Sequence, residues 1–391
     1  MKIGIVLSNS PAYSETFFTS KIRGLQQSGF NVTLFVQKSN PEFILCNVVV
    51  APKVFKRNRL LQFFKLVFVL FYFFIRFPNR LIKYITLERE AQRSWIQIIK
   101  NIYNNFHLLT FDMDWLHFGF ATMAIQSEHV AKTIGAKMAV SLRGFDIDVY
   151  PEHHPNCYKL LWKQVDKVHS ISDYLLNEAY RLGLSSETPF GIITPAIDVS
   201  QFTRDQYIFS KNTIKIVTVA RLHQIKDLTF AIDAMAILKS HDIDFEYHII
   251  GDGPEHDALQ AQIEKLELDD RVSLIGKVDH HDVVELLKKA DIYVQYSASE
   301  GFCNAVLEAQ SIGLLCVVSD GGGLPENVLH KATGWVVPKK NPELLVQAIM
   351  NIILLPYDEK AKISGAAQDR VKNEFNLNKQ QELFKAFYEN A

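Results

Sequence analysis

The chain has 391 residues, of which 48% are hydrophobic and 22% charged. This length exceeds what a single core of about 250–300 residues serves, so two domains are expected, and the composition excludes a disordered or repeat polymer. Residues 1–198 hold 22 Lys+Arg against 15 Asp+Glu, a balance of +7, which leaves 20 against 28, or −8, for the remainder; a basic first half suits an anionic partner there, while an acidic second half argues against a nucleic-acid binder of the whole-chain basic kind.

In chain order, the opening MKIGIVLSNS reads as a strand and a polar loop and lacks the charged-then-apolar pattern of a signal peptide. Cys46, Cys157, Cys303 and Cys316 form no CxxC pair, so neither zinc nor a disulfide framework is signalled, and a reducing cytoplasm is the expected setting. Residues 2–7 predict a strand, 15–28 a helix closed by Gly29, and 31–36 the next strand, which is one βαβ unit. Further strands are expected at 115–118, 137–141 and 167–171. After a polar, aperiodic stretch at 197–212, read as the linker, a second series starts at 213–220 and continues at 245–250, 272–275, 292–296, 315–319 and 335–337. A final helix at 377–388, with Leu383, Phe384 and Phe387 at helical spacing, is expected to pack back on the first domain.

One segment looks unlike a soluble enzyme. No acidic residue occurs between Glu42 and Glu88, and Lys53, Lys56, Arg57, Arg59, Lys65, Arg76, Arg80 and Lys83 surround the run LVFVLFYFFI at 66–75. The run is too short to cross a bilayer, which takes about 20 residues. Basic flanks around an aromatic centre suit a helix lying in the membrane interface, attracted to anionic headgroups, over residues 53–83. The alternative is a buried core helix with solvated ends.

Three motifs carry chemistry. Arg221 and Lys226 follow the first strand of the second series, where an open α/β sheet binds its ligands, and two cations there suit a diphosphate. Gly251-Asp-Gly253-Pro follows the next strand and permits close backbone approach. Ser299-Glu300-Gly301-Phe302-Cys303-Asn304-Ala305 leads into a helix that carries Glu308. Backbone N–H groups from Gly301 to Ala305 can receive phosphate or sugar oxygens, and Glu308, acceptor-only when ionised, can take hydrogen bonds from paired ribose hydroxyls. Each motif by itself also fits an ordinary loop or helix end; their order and spacing together do not. Asp112-Met-Asp114 and Asp146-Ile-Asp148 are acidic pairs of a kind that can hold a metal, but such pairs are frequent by chance, and the histidine pairs 153–154 and 280–281 lack further ligands nearby. Cys303 lacks an activating base beside it and reads as lining.

Arg221 with Lys226, the GDGP turn, Glu300 with Glu308, and Ser319-Asp-Gly-Gly-Gly-Leu-Pro-Glu326 together resemble the family 4 glycosyltransferases, closely from residue 214 to 338. Looser likeness runs through Ser14-Glu15-Thr16-Phe17, Asp114-Trp-Leu-His117-Phe-Gly119, Leu142-Arg143-Gly-Phe-Asp146-Ile147 and Pro195-Ala-Ile-Asp198 with Phe202. The branch that builds bacterial surface polysaccharides is the one resembled. The resemblance implies a GT-B fold, α/β with two Rossmann-like domains facing across a cleft: residues 1–200 on the acceptor side, 201–374 binding a nucleotide-sugar, and 375–391 as the returning helix. It implies a retaining enzyme without a metal or other cofactor, in which Arg221 and Lys226 stabilise the leaving diphosphate of a UDP- or GDP-sugar. Glu300 would contact the donor sugar, Glu308 the ribose, and the loop holding Lys277 and Val278 the base; Gly251, Gly253, Gly301, Phe302, Cys303, Asn304 and Ala305 complete the donor side. Ser14, Glu15, His117, Arg143 and Asp146 are the expected acceptor-side residues. Two departures stand out: Pro11-Ala-Tyr-Ser-Glu15 replaces a glycine pair of many relatives, and Arg143 stands where many carry histidine. The expected role is transfer onto a lipid-linked or membrane-proximal glycan, at the inner face of the cell membrane. An epimerase or a non-catalytic membrane-anchored component are the competing readings.

Overall fold

The computed structural model describes residues 1–11, 16–55, 57–204, 209–210 and 212–390. It contains two parallel sheets. The first is built from β1 (Lys2–Asn9), β2 (Asn31–Lys38), β3 (Asn47–Val50), β4 (Trp115–Phe118), β5 (Lys137–Leu142), β6 (Lys167–Ser170) and β7 (Phe190–Ile192). Their order is β3-β2-β1-β4-β5-β6-β7, and each neighbouring pair is parallel. The second contains β8 (Ile214–Val219), β9 (Phe245–Ile250), β10 (Val272–Gly276), β11 (Ile292–Gln295), β12 (Leu315–Ser319) and β13 (Trp335–Val337), in the order β10-β9-β8-β11-β12-β13 and again parallel. In each, the strand order reverses beside the first strand, β1/β4 in one sheet and β8/β11 in the other, which opens a crevice at the strands' carboxyl ends.

β3 and β7 escape the sequence reading for a common reason. They are edge strands of four and three residues whose side chains are exposed or half-buried, so neither shows the apolar run that marks the buried central strands. The remaining strands fall within a residue or two of expectation, because their burial on both faces writes continuous Val/Ile/Leu runs into the chain.

Contacts divide the chain into one unit of Met1–Ile171, Leu175–Ile193 and Gln381–Ala391 and a second of Ser172–Tyr174 and Thr194–Gln380. The stretch expected to be a linker is instead part of the second unit. Phe202 and Phe209 are buried, Phe209 within that unit's core, and the Ser311 hydroxyl donates to the Phe202 carbonyl at 3.0 Å. A few widely spaced anchors suffice to hold an aperiodic segment, and sequence periodicity does not reveal them. The last helix, Leu377–Glu389, buries Phe384, Phe387 and Tyr388 in the core of the first unit, while Leu383 stays exposed.

Three helices lie between β3 and β4: α2 (Arg59–Arg76), α3 (Pro78–Glu90) and α4 (Trp95–Leu109), the helix Thr16–Gln27 being α1. Asn58 caps α2, accepting from the Leu61 N–H at 3.0 Å, and Pro78 at the start of α3 forbids continuation, so the two helices bend by 114°. Among the described residues no single helix is long and apolar enough to cross a membrane, though this bent pair passes that test together. α2 buries only Val69 and Phe73. Phe63, Phe64, Phe68, Phe71, Phe74 and Ile75 are each about 60% exposed, which overturns the alternative of a core helix.

Beneath these helices lies a buried charge network. Glu88, fully buried, accepts from Arg93 at 2.9 and 3.0 Å, from Asn101 at 2.8 Å, and bonds His129 Nδ1 at 2.8 Å; Arg93 also pairs with Glu128 at 2.7 Å. Every lone pair that burial would otherwise strand is thereby used, which ties α3, α4 and the segment 128–129 into a rigid base.

Candidate functional site

The second unit's crevice lies between the ends of β8 and β11. Past β8, residues 220–222 are zipped to the GDGP turn: Leu222 N–H donates to Asp252 O at 3.0 Å, and Glu255 N–H to Leu222 O at 3.1 Å. Gly251 has φ +143°, and a Cβ there would sit 1.9 Å from the Ala220 carbonyl oxygen. At Gly253 a Cβ would sit 2.3 Å from Leu222 O. These glycines allow two loops to touch backbone to backbone, which fixes where Arg221 and Lys226 start.

The SDGGG segment performs the same task on the other side. Gly322, at φ +65°, forms a bridge with Glu300, and a Cβ there would meet Glu300 O at 2.4 Å. Gly323 N–H donates to Glu300 O at 2.6 Å, and Glu300 N–H to Gly321 O at 3.3 Å. The triple glycine is therefore the seat of Glu300.

The two halves meet in an ion pair. Lys226 Nζ donates to Glu300 Oε1, as do Ser297 Oγ at 3.0 Å and Gln295 Nε2 at 3.3 Å; Gln295 is held in turn by Tyr293 OH at 2.7 Å. The described hydrogen bonds to this carboxylate all land on Oε1. Lys226 and Glu300 remain 14% and 12% exposed, so the pair is desolvated but open on one side. Arg221 is exposed on the neighbouring loop. Ser297 and Gln295 were missed in the sequence, where a Gln and a Ser near a strand end carry no mark; only the fold aims them at Glu300.

The helix Asn304–Ile312 follows, with Cys303 at its N-cap position and no acidic residue in its first turn. Asn327, also unforeseen, clamps Cys303 from both sides, accepting from its N–H at 3.0 Å and donating to its carbonyl at 3.0 Å. Burial pushes the Cys303 thiol up to about 12, so it stays protonated and inert. Phe302 is buried against Phe375, while Gly301, Asn304 and Ala305 are half-buried beside the crevice loop. Glu308, 16% exposed, lies 3.8 Å from His280 Nε2, and that carboxylate raises the His280 pKa against its partial burial. Lys277 is exposed and Val278 half-buried in the turn that joins β10 to the helix His280–Lys288.

On the first unit Arg143 lies within electrostatic reach of both His117 and Asp146, and the latter two are sealed. Ser14 and Glu15 lie outside the described residues. His117 is fully buried, within a ladder in which Tyr388 OH bonds its Nδ1 at 2.6 Å, Ser141 Oγ its Nε2 at 2.8 Å, and His169 Nδ1 continues from Ser141 at 2.7 Å. Lys21 Nζ lies 3.2 Å from both His117 ring nitrogens. His117 is thus sealed beneath the terminal helix. Asp146 is also fully buried; its Oδ1 accepts from Thr122 Oγ1 at 2.6 Å and Thr122 N at 3.2 Å, and burial pushes its carboxyl up to about 6. Arg143, half-buried, places its guanidinium 4.1, 4.7 and 5.3 Å from the rings of Phe17, Phe18 and Phe120. Asp112 pairs with Arg80 and Asp114 accepts from the Lys2 N–H at 2.6 Å, so both carboxylates of that acidic string serve the fold. Among the described residues no cluster of three or more His, Cys, Asp or Glu could hold a metal ion.

Two parallel Rossmann-like sheets, each with its switch point beside its first strand, define the GT-B fold. Residues 199–370 match the family model of glycosyl transferases group 1. The chain is 29% identical over 268 residues to WcaL of Escherichia coli (strain K12), named for colanic acid biosynthesis, covering 66% of each chain. It is 28% identical over 273 residues to the amylovoran biosynthesis glycosyltransferase AmsK of Erwinia amylovora, covering 68% of this chain and 67% of AmsK. The matched part thus spans about two thirds of these relatives. Among solved structures, Anabaena Alr3699/HepE in complex with UDP superposes over 100% of both chains with a TM-score of 0.74 at 17% identity.

Proposed function

We propose that the protein is a retaining glycosyltransferase that moves a sugar from a UDP-sugar onto a lipid-carried glycan in surface-polysaccharide assembly. The observation that carries the reading is the Lys226–Glu300 pair, fixed at the β8/β11 switch point with Glu300 anchored through one oxygen. Lys226 and Arg221 stabilise the charge that develops on the departing diphosphate, with no divalent metal required, while Glu300 holds hydroxyls of the sugar. Glu308 receives the ribose hydroxyls, the turn at Lys277 and Val278 meets the base, and the start of the helix Asn304–Ile312 faces the phosphates. The UDP and UDP-glucose present in HepE structures favour UDP over GDP as the carrier, and the names of WcaL and AmsK favour polysaccharide assembly. The exposed aromatic face of α2, flanked by cations, suits residence at the inner face of the membrane, where such acceptors are found.

The test is UDP release from UDP-glucose by wild type and Glu300→Ala, together with thermal shifts on adding UDP or GDP. Turnover that falls at least a hundredfold in the variant, with a shift for UDP, supports the reading. Equal, negligible rates in both proteins would instead mark a silent nucleotide-sugar binder.

A further inference from the structure

The apolar surface of the first unit has two parts of different shape. Phe63, Phe64 and Phe68 form an outward face of α2. Beside it, α2, α3 and α4 border an open trough of about 480 Å³ lined by Val67, Phe71 and Phe74, by Ile85, and by Trp95 and Ile99, with every lining side chain apolar. That volume lies within the roughly 300–1,000 Å³ of small-molecule sites. An outward apolar face needs only a bilayer to cover it. A concave apolar slot of this size is shaped for a single guest.

Charge narrows the identity of the guest. No carboxylate is present from residue 43 to 87, and Glu90 is the single exposed one on α2 and α3, against Lys65, Arg76, Lys83 and Arg89, which are exposed on the same two helices. The Arg89 guanidinium lies 5.1 Å from the ring of Trp95, a trough-lining residue, so a cation stands beside the slot itself. An apolar slot with a guanidinium next to it complements a hydrocarbon chain that ends in phosphate. The Glu88–Arg93–His129 network beneath α3 and α4 keeps the walls in place.

We propose that the trough between α2, α3 and α4 binds the hydrocarbon chain of a phosphate-headed lipid, with Arg89 beside the head, and so serves as the seat of the lipid part of the acceptor. This rests on the reading of a lipid-carried acceptor and gives that lipid a site distinct from the bilayer-facing surface.

Trp95 supplies the measurement. It is 56% exposed, whereas Trp115, Trp162 and Trp335 are buried, so a blue shift in emission reports the trough. Titration of the full chain with farnesyl phosphate or dodecyl phosphate, each below its micelle concentration, should give a saturable shift that inorganic phosphate does not. Response to only one of the two identifies a prenyl or an alkyl chain. Ile99→Phe, which fills the slot, should weaken binding at least tenfold; Phe68→Ser, outside the slot, should leave it unchanged while lowering retention on anionic vesicles. Should Ile99→Phe fail to fold, photolabelling of wild type with a diazirine-bearing farnesyl phosphate should place the label on the trough lining. No saturable shift, equal loss in Phe68→Ser, label centred on Phe63 and Phe64, or a stable dimer with Trp95 already shielded would each overturn the inference. UDP-glucose turnover measured on the same samples separates the two claims: turnover without chain binding removes the trough alone, and chain binding without turnover removes the transfer reading and the acceptor role with it, leaving the trough as a lipid site.

Discussion

Lys226 and Glu300 in the second unit keep 14% and 12% of their side chains exposed, whereas Lys21, His117 and His169 in the first keep 1%, 0% and 0%. Both groups sit on or near strands of a parallel sheet, and both are chains of hydrogen-bonded titratable residues. Their physics is opposite. The open pair gives each group an ionic partner and leaves one side accessible to water or a ligand. The sealed ladder disfavours charge: burial pushes the pKa of Lys21, His117 and His169 well down, and the three act as polar mortar between the sheet, α1 and the terminal helix. A cluster of lysine and histidine becomes a candidate site only where the fold leaves it a face.

The contrast breaks most sharply if the sealed region proves to drive turnover or the open pair to drive stability. The largest expected effect is on stability. Phe387→Ala empties a position that is 4% exposed in the first unit's core, and should cost about 3–5 kcal/mol in denaturant unfolding. Next, Lys226→Met should lower kcat for UDP release about 10²–10³-fold, with the unfolding midpoint little changed; a large loss of stability with turnover retained would reverse the assignment.

Asp146 sharpens the comparison through pH. Its folded pKa of about 6 lies above the unfolded value, so between about pH 4 and 6 the native state binds more protons and this group's contribution falls as pH rises. His117 and His169, with lowered pKa values, work in the opposite sense below about pH 6.5, where acid favours the unfolded chain. The effect is therefore read as a difference: relative to Asp146→Asn, wild type should lose up to about 3 kcal/mol across that window. Equal slopes in the two proteins would mean that the carboxyl is solvated. The smallest effect is expected for Tyr388→Phe, which removes one buried bond to His117 and should cost about 1–3 kcal/mol while leaving UDP release intact.

The legibility of the chain follows from the range of the interactions involved. The central strands and the GDGP turn were readable because each is dictated locally: a strand buried on both faces must be apolar, and a backbone pressed against a carbonyl must be glycine, as at Gly251; the GGG run, where Gly322 meets the same demand, entered only through the family resemblance. The edge strands β3 and β7 were not, since half-exposed residues obey no such rule. Nor were Ser297, Gln295 and Asn327, ordinary polar residues whose meaning comes from the carboxylate or backbone they face.

The first unit shows the limit most clearly. By itself the sequence determined that residues 53–83 are basic and aromatic, that the chain carries two parallel sheets, and that Lys226 and Glu300 lie on loops at strand ends of the second series. Only the tertiary structure decided that α2 exposes its aromatics, that His117 and Asp146 are sealed, and that the residues thought to be a linker are anchored in the second unit. Composition and spacing record what a residue's immediate neighbours require. Burial is set by segments distant in sequence, such as the terminal helix that closes over His117 from 271 positions away.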